Sequence, residues 1–182
     1  MTNTDGPRGF SVVGRLGGGG QPTAVEYEVD AGTATAIFPG DLAKLETDGK
    51  AAVMTAQSDD YIGVIVGIYD TNRKPVNTLA ASTAGFIDVI DDPLAMLEVQ
   101  FEEGGTAPTA AAVGAAADAV WTHAGAGSKA GVELSETLAG DGTAAQFRIL
   151  KLVPKPNNDW GHYARVRVVA LEHAFNSAPN AI

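Results

Sequence analysis

The chain has 182 residues, 45% of them hydrophobic, and a formal net charge of −10. That length and apolar content suit one domain with a substantial core and argue against disorder. The acidic balance argues against general nucleic-acid binding, which needs a basic surface to release counterions.

There is no cysteine, so disulfides and thiolate metal sites are excluded. The longest apolar run, residues 61–69, is too short to cross a bilayer as a helix. The first residues, Met1-Thr2-Asn3-Thr4-Asp5, lack the basic and apolar regions of a signal peptide, so a soluble protein made in a cytoplasm is expected. Glycine is abundant at 22 residues, and with short apolar runs it favours a turn-rich β protein. The charge is uneven: net +1 over residues 1–25, −14 over 26–144 and +3 over 145–182. Ordinary variation on a solvated surface accounts for this, as does docking of the ends onto an acidic neighbour.

In chain order, residues 1–22 read as an irregular N-terminal arm, 23–175 as the β domain and 176–182 as a C-terminal tail. Residues 10–14 can form a short strand. Gly17-Gly18-Gly19-Gly20 follows, and without a Gly-Lys-Ser/Thr it is a linker or a close backbone approach, not a phosphate-binding loop. Over 24–29, Val25, Tyr27 and Val29 alternate with Glu26 and Glu28, a strand pattern. Residues 37–41 read as a turn that opens into a strand at 42–46. Thr47-Asp48-Gly49-Lys50 carries the favoured Asp-Gly hairpin turn, with the return strand at 51–56.

Residues 61–69, YIGVIVGIY, give the strongest strand signal. Ile62, Val64, Val66 and Ile68 are expected on one core-facing side. Tyr61, Ile65 and Tyr69 alternate with Gly63 and Gly67 on the other, which needs cover from another sheet or subunit. Glycine inside a strand marks a bulge or a close backbone approach. Residues 70–77 read as a polar loop.

Residues 86–103, FIDVIDDPLAMLEVQFEE, read as strand, turn and strand, a central hairpin. The first run is apolar on both faces, as in a strand buried on both sides. Asp91-Asp92-Pro93 supplies turn chemistry. Leu97, Val99 and Phe101 then share one face, opposite Met96, Glu98, Gln100 and Glu102. A helix competes, with Asp92 as cap, Pro93 at its first position and Leu94, Leu97 and Phe101 at helical spacing. Residues 106–117 are alanine-rich, but Pro108 and Gly114 limit them to one short helical turn. A strand through 119–122, a loop at 125–131 and strands at 147–153 and 164–171 complete the domain. In the last, Ala164, Val166, Val168 and Ala170 face inward, and Arg165 and Arg167 outward.

An internal echo is present. Phe38-Pro39-Gly40-Asp41, a hairpin and YIGVIVGIY resemble Val113-Gly114 with Asp118, a glycine-rich loop and FRILKLV. Two related halves flanking the central stretch explain this, and so does recurrent β-turn chemistry.

Catalytic chemistry finds little footing. His123, His162 and His173 are too far apart for a local metal pair, so no metal is expected. Asp91 and Asp92 on a strand would point to opposite faces and could not share a proton. Asp59-Asp60 reads as a loop, no calcium-loop pattern occurs, and no serine sits in Gly-x-Ser-x-Gly. The expectation is no cofactor and no enzymatic activity. A hydrolase would need two carboxylates converging in a pocket. Candidate partner-binding residues are Arg8, Phe10 and Arg15 of the arm, with Phe10 as apolar anchor and the arginines pairing with carboxylates. Trp160 and Tyr163, in and beside NNDWGHY, either pack under that loop or anchor a partner, as ring residues do at binding hot spots.

In their order along the chain, several pieces resemble a family of tailed-phage capsid decoration proteins, also called head cement proteins. They are Gly40-Asp41, Gly63-Val64-Ile65-Val66-Gly67, Asp91-Asp92-Pro93 followed by Glu98-Val99-Gln100, and Val113-Gly114 with Asp118. Phe147-Arg148-Ile149-Leu150, Pro156-Asn157-Asn158 and Gly161-His162-Tyr163-Ala164 continue the series. The resemblance runs from about residue 10 to 175, and the Gly17–Gly20 run has no counterpart in it. It implies a compact β fold, jelly-roll-like or barrel-like, on the outside of an icosahedral head. It implies an oligomer, often a trimer, that bridges subunits of the major capsid protein and has no catalytic residues. A carbohydrate- or receptor-binding β module of a virion is the alternative, favoured if aromatic rings in loops are exposed to stack on sugars.

Overall fold

The structure, a computed structural model, describes residues 3–121, 130–139 and 145–175. The strands are β1 (Ser11–Arg15), β2 (Val25–Val29), β3 (Leu42–Leu45), β4 (Ala51–Val53), β5 (Tyr61–Tyr69) and β6 (Gly85–Ile90). They continue with β7 (Ala95–Gln100), β8 (Ala116–Ala117), β9 (Ala119–Val120), β10 (Glu133–Leu134), β11 (Phe147–Leu152) and β12 (Arg165–Ala170). The helical structure described is one 3-10 turn, Ala110–Ala112, capped by the Thr109 side chain. The protein is a mainly β single domain. The predicted end of a strand at Thr122, most of the loop at 125–131, His123 and the tail at 176–182 lie outside the described residues.

Two antiparallel five-stranded sheets form the body, in the orders β2-β6-β5-β3-β4 and β1-β7-β12-β11-β8, beside a β9-β10 ribbon. In the first sheet the strands at the two ends of the order, β2 and β4, also meet, so the sheet curls toward a barrel. The Lys50 Nζ–Glu28 Oε1 pair at 2.9 Å spans that seam. Inside the curl, Val29, Val53, Ile62, Ile65, Ile68, Ile87 and Val89 form one apolar cluster. A second, larger cluster joins the inner face of the other sheet (Leu97, Val99, Val166, Val168, Ile149) to Leu42, Val64 and Ile90 of the first.

The central stretch is extended on both sides of its turn and not helical. Leu97, Val99 and Phe101 are buried on one face, as the alternation requires. It is not a hairpin, however: β6 and β7 belong to different sheets. Asp91-Asp92-Pro93 is the corner between them. Asp92 Oδ1 accepts the Leu94 amide at 2.9 Å, and Asp91 Oδ2 accepts the Tyr27 hydroxyl at 2.8 Å. The turn chemistry was legible. Which sheet each strand joins is decided by partners far away in sequence.

Strand β5 also departs from strict alternation. Its register slips against β3 between Ala43 and Lys44, and against β6 between Ile65 and Gly67. Each slip is a bulge and inverts the side-chain pattern beyond it. Ile62, Val64, Val66 and Ile68 therefore do not share a face. Val64 joins the larger cluster, Ile62 and Ile68 the smaller, and Val66 is 44% exposed. The glycines permit this, since a Cβ on Gly63 would overlap the carbonyl oxygen of Ile90. Tyr61 and Ile65 are buried within the chain, so they need no second subunit for cover.

The internal echo corresponds to two halves built alike. In the first, the Gly40 amide donates to Ile65 O, the Ile65 amide to Asp41 O and the Met54 amide to Leu42 O. In the second, the Gly114 amide donates to Ile149 O, the Ile149 amide to Ala115 O and the Ala139 amide to Ala116 O. Gly40 and Gly114 both take positive φ, +94° and +90°. A bulge follows each isoleucine, before Gly67 and before Lys151. The order β2-β6-β5-β3 of the first half recurs as β7-β12-β11-β8, and β1 adds an edge to the second.

That edge is the short strand expected at 10–14, and it corrects the reading of the whole of residues 1–22 as an irregular arm. β1 pairs with β7 from Ser11 to Arg15. Phe10 is 2% exposed, with its ring centroid 4.8 Å from that of Phe147. Its size and apolarity make it core material, which removes it as an anchor for a partner.

Candidate partner-binding surface

Of the five residues singled out from the sequence, Arg8, Trp160 and Tyr163 come together at one end of the molecule. The loop between β11 and β12 makes this end. Asn158 ties its base: its Nδ2 donates to Val153 O at 2.8 Å and Arg165 O at 2.9 Å, and its Oδ1 accepts the Arg165 amide at 2.8 Å. The side chain thus replaces backbone partners that an irregular loop lacks.

The N-terminal segment is strapped onto this loop. Asn3 Nδ2 donates to Asp159 O and His162 O, both at 2.8 Å, and Asn3 Oδ1 accepts the Asp159 amide at 3.0 Å. Arg165 Nη2 donates to Gly6 O at 3.0 Å. Between strap and loop lies a cleft of about 410 Å³ whose walls include Arg8, Lys155 and Tyr163. An adjoining cleft of about 380 Å³ has Trp160, Tyr163 and Glu103 in its walls.

Tyr163 stands on a left-handed backbone, φ +59°. For a bulky residue that conformation costs roughly 1–2 kcal/mol, and it persists only where the surroundings impose it. Here its hydroxyl donates to Glu103, and that bond pushes the phenol up to about 12. Trp160 is half-buried and packs against the larger core cluster while lining the cleft. His162 Nδ1 lies 2.8 Å from Oε1 of Glu136, whose side chain is fully buried. Oε2 of the same carboxylate accepts the Gly105 amide at 3.1 Å. The loop is therefore bonded on three sides, and its rings are presented from a fixed frame.

Arg15 is elsewhere. It lies at the far end of β1, with its Nε 2.6 Å from Asp92 Oδ2 at the corner between the sheets. Sequence reasoning missed Asn3 and Asn158, the residues that organise the surface. Asn158 sat in a segment read as polar loop, but nothing marked Asn3, whose partners are more than 150 residues away. Arg165 and Arg167, expected on the outer face, are there but half-buried. Among the described residues, no group of three or more His, Asp or Glu is placed to hold a metal ion. No helix among them is long and apolar enough to cross a membrane.

In comparisons with known proteins, the chain matches no protein-family model and no curated protein.

Proposed function

We propose that this chain is a structural protein of a tailed-phage virion, a capsid decoration or cement protein. It is made in the host cytoplasm, binds the outer surface of the icosahedral head and bridges subunits of the major capsid protein as a homotrimer. The observation that carries the reading is the preorganised end surface. Arg8, Trp160 and Tyr163 are presented together by a strap and a loop fixed by Asn3 and Asn158. A static binding module gains affinity by ordering its anchors before contact, and Trp, Tyr and Arg are the residues that dominate protein interfaces. The resemblance supplies the identity of the partner. No catalytic step, nucleic acid or membrane enters this reading.

The test is binding to purified, undecorated heads. Trp160→Ala and Tyr163→Ala are each expected to weaken binding at least tenfold while the protein still unfolds cooperatively. Unchanged affinity in both would overturn the assignment of this surface. No binding of the wild-type protein to heads would overturn the function.

A carbohydrate- or receptor-binding module is the second reading, favoured by the half-exposed rings of Trp160 and Tyr163 beside a polar cleft. Copy number in purified particles separates the two: cement is present in many copies per head, an adhesin in few.

A further inference from the structure

A different cavity, walled mostly by the first half of the chain and completed by Trp121 and Gly131 of the second, carries an inference that does not rest on the capsid reading. It measures about 460 Å³, and its walls include Phe38, Val53, Met54 and Trp121. Asp41 also lines it. This carboxylate is 6% exposed. Its Oδ2 accepts the Phe38 amide at 2.8 Å, and among the described residues it has no cationic partner. Burial pushes the carboxyl up to about 6.

The second half of the chain offers a comparison. A cavity there, about 520 Å³, is lined by Gly105, Pro108, Thr109, Ala112, Glu136 and Leu138, among others. There the acid is satisfied: Glu136 is bonded by His162 and by the amides of Gly104 and Gly105. Asp41, whose place in the repeat is taken by Ala115 and not by Glu136, has one amide only. Isolated buried carboxylates are unfavourable, and a cation is what compensates one. An apolar wall accommodates a methylene stem, and an aromatic face attracts the charged head.

We infer that this cavity binds an organic cation with an apolar stem, the lysine side chain being the prototype, with Asp41 as counter-ion and Phe38 and Trp121 as aromatic walls. The ligand chemistry is thus a primary alkylammonium group, for which a free alkylamine is the probe.

The experiment uses the full chain and two probes of matched size, n-butylammonium and neutral n-butanol. The chain has two tryptophans, so Trp160→Phe leaves Trp121 as the reporter. In that background, butylammonium is expected to change Trp121 emission saturably at millimolar concentration, and butanol at least tenfold more weakly. Asp41→Asn added to it should weaken butylammonium at least tenfold and leave butanol unchanged. Equal response to the two probes, no saturable response to either, or butylammonium binding unaffected by Asp41→Asn would each overturn the inference. The two-probe comparison stands on its own should Asp41→Asn not fold.

Discussion

At the scale of single residues, Asp41 is the clearest case of a group held against its solution preference. Burial raises its carboxyl from 3.8 to about 6, so the folded state holds the proton more tightly than the unfolded chain does. The stability this provides is full below pH ~4 and is lost as pH rises through ~6. Asparagine keeps an acceptor for the Phe38 amide and carries no charge. Asp41→Asn is therefore expected to be more stable than the wild type at pH 7.5, by up to about 3 kcal/mol. The gap should close by pH 4, as read from urea unfolding at both values. A gap independent of pH would show that burial of charge is not its origin. Stability gained at the cost of a binding group is the trade expected at such a site.

Gly63 is a steric case rather than an electrostatic one. A Cβ there would overlap the backbone of Ile90 and the Val89 side chain, while one on Gly49, in the β3–β4 turn, meets nothing within 4 Å. Gly49 has φ +85°, so alanine there costs only backbone strain, roughly 1–2 kcal/mol. Gly63→Ala must move a strand, and a loss above about 4 kcal/mol, or failure to fold, is expected. Denaturant midpoints of the two variants decide this, and similar losses would contradict the close approach.

Among elements, β1 forms where a short strand was expected, but its place in the sheet and the burial of Phe10 alter how the N-terminus should be tested. Phe10→Ala removes a buried ring packed on Phe147, which in turn meets Tyr61 edge-on, and it is expected to cost about 3–5 kcal/mol. Arg15→Ala breaks only a partly exposed pair with Asp92 and should cost no more than about 1 kcal/mol. Thermal unfolding of both variants measures the contrast. Deleting residues 1–20 would strip an edge strand and a core residue, so weaker docking of that truncation would say nothing about contact with a partner. Deleting residues 1–7 removes the strap at Asn3 and leaves Phe10 and β1 in place. The β6–β7 corner shows the same logic, since its turn is local but the two strands are claimed by different sheets.

For the whole molecule, the covered face of β5 bears on assembly. Tyr61 and Ile65 are sealed by the chain itself, so a trimer must be built from other surfaces. Leu16 and Leu94, both exposed and joined through a 2.8 Å backbone bond, are one apolar place on the outside. The proposed trimer predicts a light-scattering mass of three chains at micromolar concentration, and a single-chain mass would remove it. The duplicated architecture adds a constraint. The halves share topology but not charge: Glu26, Glu28 and Asp88 outweigh Lys44 on the first sheet, whereas Arg15, Arg148, Lys151, Arg165 and Arg167 outweigh Glu98 on the second. An assembly contact therefore meets two electrostatically different faces.

The sequence by itself determined most of the longer strands, the Asp-Gly hairpin, the Asp91-Asp92-Pro93 turn and a short helical turn within 106–117, but not the two-residue strands β8 and β10. Period-two alternation and turn chemistry are properties of neighbours in the chain, so they are legible there. The repeat between the halves left a trace in the sequence because both reuse a left-handed glycine before a short strand. Only the tertiary structure decided which sheet each strand joins, where β5 bulges and why Phe10 is core. It alone assembled the candidate surface, where Asn3 meets Asp159 and His162, and the cavity that Asp41 and Trp121 both line. Those contacts join residues far apart in sequence, and no local pattern encodes a partner that only chain folding brings near.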